Sequence, residues 1–256
     1  MKTEPEAPHV DAAEGVFSQE LCLCSAQVDC FCRLRWSTMF TLFQEASIAH
    51  FEQQGCGSDK TLYRGLLWII TLQTARIERL PYYGETVRLK TWSGEPMHVF
   101  LPRYYRIEDA EGKLLVESSA LWGLMDQQTR KLVLPGEHGI VLATRRTGQE
   151  MPLPRAQHSV KPEWHCSYTV PFHVLDLNGH MNNASYFDLA QEFLPCEVLK
   201  RTPTRISAEY RGEATWGQRL TVGGCRTEEG WSLFGETTED APRKVFRLTL
   251  DYAEEE

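Results

Sequence analysis

VPFHVLDLNGHMNNASYFDLAQE, Val170–Glu192, is the stretch whose reading decides the fold. Apolar residues alternate at Val170, Phe172 and Val174, which predicts a strand with one buried face. Asp176, Asn178, His180, Asn182 and Asn183 then crowd together. Tyr186, Phe187, Leu189, Ala190, Phe193 and Leu194 follow at helical spacing, with Asn183 as the expected N-cap. A strand, a polar loop and a buried helix thus succeed one another with almost no spacer. The first N–H groups of a helix lack partners and favour negative charge, so chemistry is expected at this entrance. Asn, Asp and Gly also gather in plain turns. A plain turn does not need His180, a group that titrates near neutrality, four residues past Asp176.

Working outward, 256 residues suffice for one large domain or two small ones with a real core. No apolar run approaches the ~20 residues that span a bilayer, and the longest, around Leu66–Leu72, has a strand's length. The opening MKTEPEAPHV resembles neither a secretory signal nor a transit peptide, and residues 1–15 are expected to be disordered. A net charge of −8 argues against nucleic acid as a partner. The expectation is a cytoplasmic protein that does not bind membranes. Cys22-x-Cys24 and Cys30-x-Cys32 have a shorter gap than most zinc ligands, and read as residues sharing strand faces. No metal and no disulfide are predicted.

Phe17–Arg35 reads as one or two strands, Ser37–Gln53 as a helix ending before Gly55. Leu66–Arg79, Thr86–Ser93, Phe100–Glu108 and Lys113–Met125 read as long antiparallel strands, the last two joined by a turn at Asp109–Gly112. The pattern then repeats. An offset of 147 carries Asp29 onto Asp176 and FTLFQE (Phe40–Glu45) onto FDLAQE (Phe187–Glu192). An offset of 133 carries YGETVRL (Tyr83–Leu89) onto WGQRLTV (Trp216–Val222), and one of 131 carries EDAEGK (Glu108–Lys113) onto EDAPRK (Glu239–Lys244). Three matches in one order imply a unit of strand, helix and sheet that occurs twice. Proline-bearing Pro135–Trp164 reads as the linker.

The two copies differ where chemistry is expected. Asn178, His180, Asn182 and Asn183 stand opposite Phe31, Arg33, Arg35 and Trp36. Ordinary loop chemistry would be needed in both copies alike. The later copy therefore reads as the reacting one, and the earlier as the half that holds something apolar.

At these residues the chain resembles the acyl-acyl-carrier-protein thioesterases, with D-x-N-x-H-x-N-N at Asp176–Asn183 and AEYRGEA at Ala208–Ala214. IERLPYYGETVRLKTW (Ile77–Trp92) and ALWGLMDQQTRKL (Ala120–Leu132) extend the similarity over about Phe17–Tyr252. The resemblance implies an α+β tandem double hotdog: two antiparallel sheets, each wrapped around a central helix and joined into one continuous sheet. The N-terminal hotdog would cover residues 16–134, the linker 135–163 and the C-terminal hotdog 164–256. It also implies hydrolysis of fatty acyl-acyl-carrier-protein by a network of Asp176, Asn178, His180 and Glu213. Glu213 would act as base on water, His180 as proton relay, and Asn178 with the helix start as oxyanion donors, while Asp176 would fix the Asn178 and His180 side chains and could itself contact water, with direct carboxylate attack left open. Ala214 stands where plant members carry cysteine, so a thiolate mechanism there is excluded. Cys166, Cys196 and Cys225 read as buried packing residues.

An acyl-chain slot is expected in the first half beside Trp36, Met39 and Phe43, although each would equally serve as core. The implied partner is acyl carrier protein, received on Arg145, Arg146, Lys200, Arg201 and Arg205, with no cofactor and with a homodimer as one candidate assembly. Alternatives that the residues leave open are an acyl-CoA thioesterase, a hotdog hydratase or dehydratase, and an inactive acyl-binding module.

Overall fold

The computed structural model describes residues 10–11, 15–158 and 160–253. Two compact units emerge: Met1–Gln73 with Glu78–Pro154, and Thr74–Ile77 with Arg155–Glu256. Most of the stretch expected to be disordered lies outside the described residues.

The first unit contains β1 (Val10–Asp11), β2 (Val16–Cys22), α1 (Trp36–Gln53), β3 (Leu66–Ile77), β4 (Thr86–Ser93), β5 (Phe100–Glu108), β6 (Leu114–Asp126) and β7 (Leu132–Val133). The strand order is β1-β2-β4-β5-β6-β3, with β7 paired to β6. β2, β4, β5 and β6 pair antiparallel, each with the next. Trp36, Met39, Phe40, Phe43, Ala46, Ser47, His50 and Phe51 are the buried residues of one face of α1, spaced three and four apart as a helix buries a stripe. Gly55, at φ +65°, ends the run in a left-handed conformation that costs glycine little. The reading of Pro135–Trp164 as linker meets a packed first part. Ile140 joins Cys56, Leu66 and Leu124 in a small core, and Ser119 donates to the Pro152 carbonyl.

The interior of this unit is partly polar. Arg103 is 0% exposed and donates to Thr91 Oγ1 (3.0 Å), Ser93 Oγ (3.2 Å) and His50 Nδ1 (2.8 Å), with its guanidinium 4.5 Å from the Phe51 ring. No carboxylate is among these partners. A buried cation without an anion is tolerable only because its donors are taken up. Burial and the Arg103 charge push the His50 pKa down to about 3, so the imidazole is neutral and free to accept.

The second unit adds β8 (Trp164–Thr169), α2 (Ser185–Phe193), α3 (Cys196–Lys200), β9 (Arg205–Tyr210), β10 (Arg219–Arg226), β11 (Gly230–Thr237) and β12 (Lys244–Asp251). Its strands run β9-β12-β11-β10-β8, all antiparallel. The last residues of β3 belong here: the Ile77 N–H donates to Thr204 O, and Thr74 and Ser207 hydroxyls meet at 2.8 Å. Ile206, Leu220, Val222, Leu233 and Leu248 are fully buried, and Tyr186 of α2 lays its ring 4.5 Å from that of Phe246.

Three local expectations need correction. The strand expected across Val170–Val174 ends at Thr169, and Phe172–Val174 is a single 3-10 turn. Pro171 has no N–H for a ladder, and Phe172 stays 71% exposed. The helix N-cap is Ala184, which has no capping side chain; Asn182 Oδ1 accepts the Ala184 N–H at 2.8 Å in a turn before the helix, so the expected capping by Asn183 does not occur. Cys22, Cys24, Cys30, Cys32 and Cys196 are exposed thiols; of the three expected packing cysteines, only Cys225 is buried.

The polar layer predicts a pH dependence. Unfolded His50 takes up a proton near pH 6.5, while the folded residue resists until about pH 3. Its contribution is therefore complete above pH 6.5 and lost as pH falls, at up to about 1.4 kcal/mol per pH unit. Thermal unfolding followed from pH 7.5 to 4.5 should decline more steeply for the wild type than for His50→Gln.

Candidate active site

The loop after the 3-10 turn is shaped by one carboxylate. Asp176 Oδ1 accepts the N–H groups of Asn178 (2.8 Å) and His180 (3.2 Å), and the Asp176 N–H donates to His180 O at 2.8 Å. Gly179, at φ +76°, turns the chain inside this ring, where a side chain would be strained. The loop is then tied to the segment after β9: Met181 N–H donates to Ala214 O at 2.7 Å, and His180 bridges Thr215. Those two ties bring Glu213 beside the imidazole. His180 Nδ1 lies 3.4 Å from Glu213 Oε1. Both side chains are partly exposed, so the pair is open to a water molecule or a substrate.

The earlier copy repeats this backbone and changes its side chains. Asp29 Oδ1 accepts from Phe31 and Arg33 N–H at 2.9 Å each, Leu34 N–H donates to Pro81 O, and Arg33 bridges Tyr82. Leu80 thus occupies the position of Glu213. Arg33 folds back on Asp29, its Nε and Nη2 both donating to Oδ2. The duplicated loop therefore has no carboxylate–imidazole pair.

The remaining expected residues fall as follows. Asn178 is exposed, and its side chain makes no hydrogen bond among the described residues. Around the helix start, the Asn182, Ala184 and Ser185 N–H groups are spent inside the loop, whereas the Asn183 N–H has no partner among the described residues. Trp36, Met39 and Phe43 are buried in α1, with Phe43 4.7 Å from the Tyr105 ring. Ala214 is fully buried, and its carbonyl is engaged by Met181. Arg145, Arg146, Lys200 and Arg205 are exposed, with Lys200 paired to Glu197.

Two aromatic pairs escaped the reading of the sequence. Tyr210 donates its hydroxyl to Asn183 O at 3.3 Å, and its ring centroid lies 6.0 Å from that of Tyr186, the planes tilted by 42°. Burial holds both phenols well above their usual range, and the Glu213 charge adds to this at Tyr186, so both stay protonated donors. Phe172 and Trp216 meet edge to face at 5.8 Å while remaining largely exposed, an apolar rim on the same unit. The match of Trp216 to Tyr83 was the available signal for the second pair.

Comparison with known proteins agrees with this architecture. The profile of the acyl-ACP thioesterase N-terminal domain matches residues 14–135, and that of the acyl-ACP thioesterase C-terminal domain matches residues 157–238. The chain belongs to the acyl-ACP thioesterase family. Relatives include the chloroplastic acyl-[acyl-carrier-protein] hydrolase FATB2 of Cuphea viscosissima, 27% identical over 77% of this chain and 52% of its own length. The chloroplastic dodecanoyl-[acyl-carrier-protein] hydrolase of Umbellularia californica is 27% identical over 73% of this chain and 54% of its own length. The chain thus spans about half the length of the curated relatives it matches. Among solved structures, an acyl-ACP thioesterase from Bacteroides thetaiotaomicron superposes with a TM-score of 0.78 at 19% identity, covering 93% of this chain and 98% of the other. The 12:0-ACP thioesterase of Umbellularia californica gives 0.76 at 22% identity over 93% and 97%. Both share the double-hotdog fold.

Within this acyl-ACP thioesterase loop, Asp176 Oδ2 makes no hydrogen bond among the described residues, so the visible duty of the carboxylate is to hold two N–H groups. Asn offers the same acceptor geometry through one oxygen, and Ala offers none. Asp176→Asn should therefore keep melting temperature and turnover near the wild type, whereas Asp176→Ala should destabilise the loop by about 1–3 kcal/mol and lower turnover sharply. Thermal unfolding and initial rates on an acyl-ACP check both.

Proposed function

We propose that the protein hydrolyses the thioester of fatty acyl-acyl-carrier-protein and releases a free fatty acid. The observation that carries this reading is the 3.4 Å pairing of His180 with Glu213, present in the later unit and replaced by Arg33 and Leu80 in the earlier one. A duplication that keeps a loop while discarding its acid–base pair in one copy argues for chemistry in the other. Glu213 takes a proton from water, and the water oxygen attacks the thioester carbonyl carbon. The oxyanion is met by the free Asn183 N–H and by the exposed Asn178 amide as charge develops. The C–S bond then breaks, and the proton taken up by Glu213 passes through His180 to the departing thiolate. Asp176 positions the loop. The family membership supports the carrier protein as the source of the thioester, and the exposed cations Arg145, Arg146, Lys200 and Arg205 suit an acidic partner.

The acyl chain is assigned to the apolar face of α1 at Trp36, Met39 and Phe43, where a chain would be kept dry.

Two expectations follow. Glu213→Gln should lower kcat on acyl-ACP by about 10²–10⁴-fold with little change in KM, and a rate near wild type would overturn the assignment of the base. Replacing Met39 or Phe43 with Ala should shift the released fatty acids towards longer chains in a panel of acyl-ACP thioesters, read by gas chromatography. The same panel with acyl-CoA and 3-hydroxyacyl substrates separates hydrolysis on the carrier protein from CoA hydrolysis and from dehydration.

A further inference from the structure

The second unit carries a half-open groove of about 440 Å³ on the face of its sheet turned away from α2. Strand alternation defines that face: Leu233, Phe246 and Leu248 point towards α2, so Phe234 and Arg247 point the other way. Val160 and Pro162, which precede β8, wall the groove on one side, and Phe234 supplies apolar floor. A volume of this size lies in the ~300–1,000 Å³ range of small-ligand sites.

The charges are arranged unevenly for a chain of net charge −8. Arg211, Arg247 and Lys244 converge on the groove with Glu236, which faces Lys244 across the β11–β12 pair. Arg211 is bound by Glu209 at 2.8 Å. Arg247 is almost fully buried, donates to the His158 carbonyl and lies 5.9 Å from the Phe234 ring. Burial first, and then the like charge of Arg211, lower its pKa. Two guanidinium groups, Arg211 and Arg247, thus lie beside an apolar wall. An anion with a hydrocarbon tail matches that pairing. A guanidinium also offers a carboxylate two parallel donors.

We propose that this groove is a second ligand site that takes a fatty carboxylate, with its head on Arg247 and Arg211 and its chain along Phe234 beside Val160 and Pro162. None of these side chains belongs to the His180–Glu213 pair. The choice of ligand rests on the proposed hydrolysis, whose product is a fatty carboxylate, so the groove would sense product apart from the reacting centre.

Calorimetric titration of the full chain with dodecanoate, below its micelle-forming concentration, tests the site without turnover. Arg247→Gln and Phe234→Glu, both checked for folding by circular dichroism, should each weaken one binding event by on the order of tenfold or more, as expected for loss of a charge-assisted contact or blocking of the chain. Hydrolysis measured without added fatty acid should stay unchanged in both. Methyl dodecanoate should fail to fill the site, and dodecyl phosphate should bind more weakly than dodecanoate. Unchanged binding in both variants, equal binding of the ester, or tighter binding of the phosphate would each overturn the proposal. Absent hydrolysis with intact dodecanoate binding would count against the proposed function alone.

Discussion

The site depends on a single acceptor, the Oδ1 of Asp176, which gathers the N–H groups of Asn178 and His180 into one tight loop. Everything near the imidazole follows from that closure. With the loop held, Met181 can pair with Ala214 and His180 can bridge Thr215, and the residue just before Ala214 arrives next to Nδ1. A carboxylate that binds backbone in this way contributes geometry.

The same closure at Asp29 explains how one fold carries two different contents. Backbone hydrogen bonds decide the loop, so the side chains that project from it vary without cost to its shape. In the first unit Arg33 turns inward onto the second oxygen of Asp29, and Leu80 sits where an acid would be. That unit places its buried polar groups elsewhere, around Arg103 and His50 under α1, where donors and a neutral acceptor satisfy one another. These two polar groups differ in exposure: the Arg103 cluster is dry, and the His180–Glu213 pair is open.

Residue pattern carried much of this. The spacing of Met39, Phe43 and Ala46 made α1 legible, because a helix buries a stripe of period 3.6 whatever its neighbours are. Thr86–Ser93 and Phe100–Glu108 were legible as strands because their length and β-branched or aromatic content suit a sheet. The Val170–Val174 alternation misled, since Pro171 removes a ladder donor and the alternation continues on paper past the point where pairing stops. The turn at Asn182 and the exposed cysteines were equally out of reach: a choice between adjacent asparagines, or between a strand face and a loop, depends on the path of the chain.

The sequence by itself determined the duplication, the two helices with their sheets, the family resemblance, and the unlike chemistry of the paired loops, because these are properties of order and residue type. Only the tertiary structure decided that Glu213 meets His180, that Tyr186 and Tyr210 lie packed together near the loop, and that Arg247 and Arg211 share a groove with Phe234. Such neighbours come from segments far apart in the chain, brought together by cross-strand register, and register is settled by which hydrogen bonds close in space.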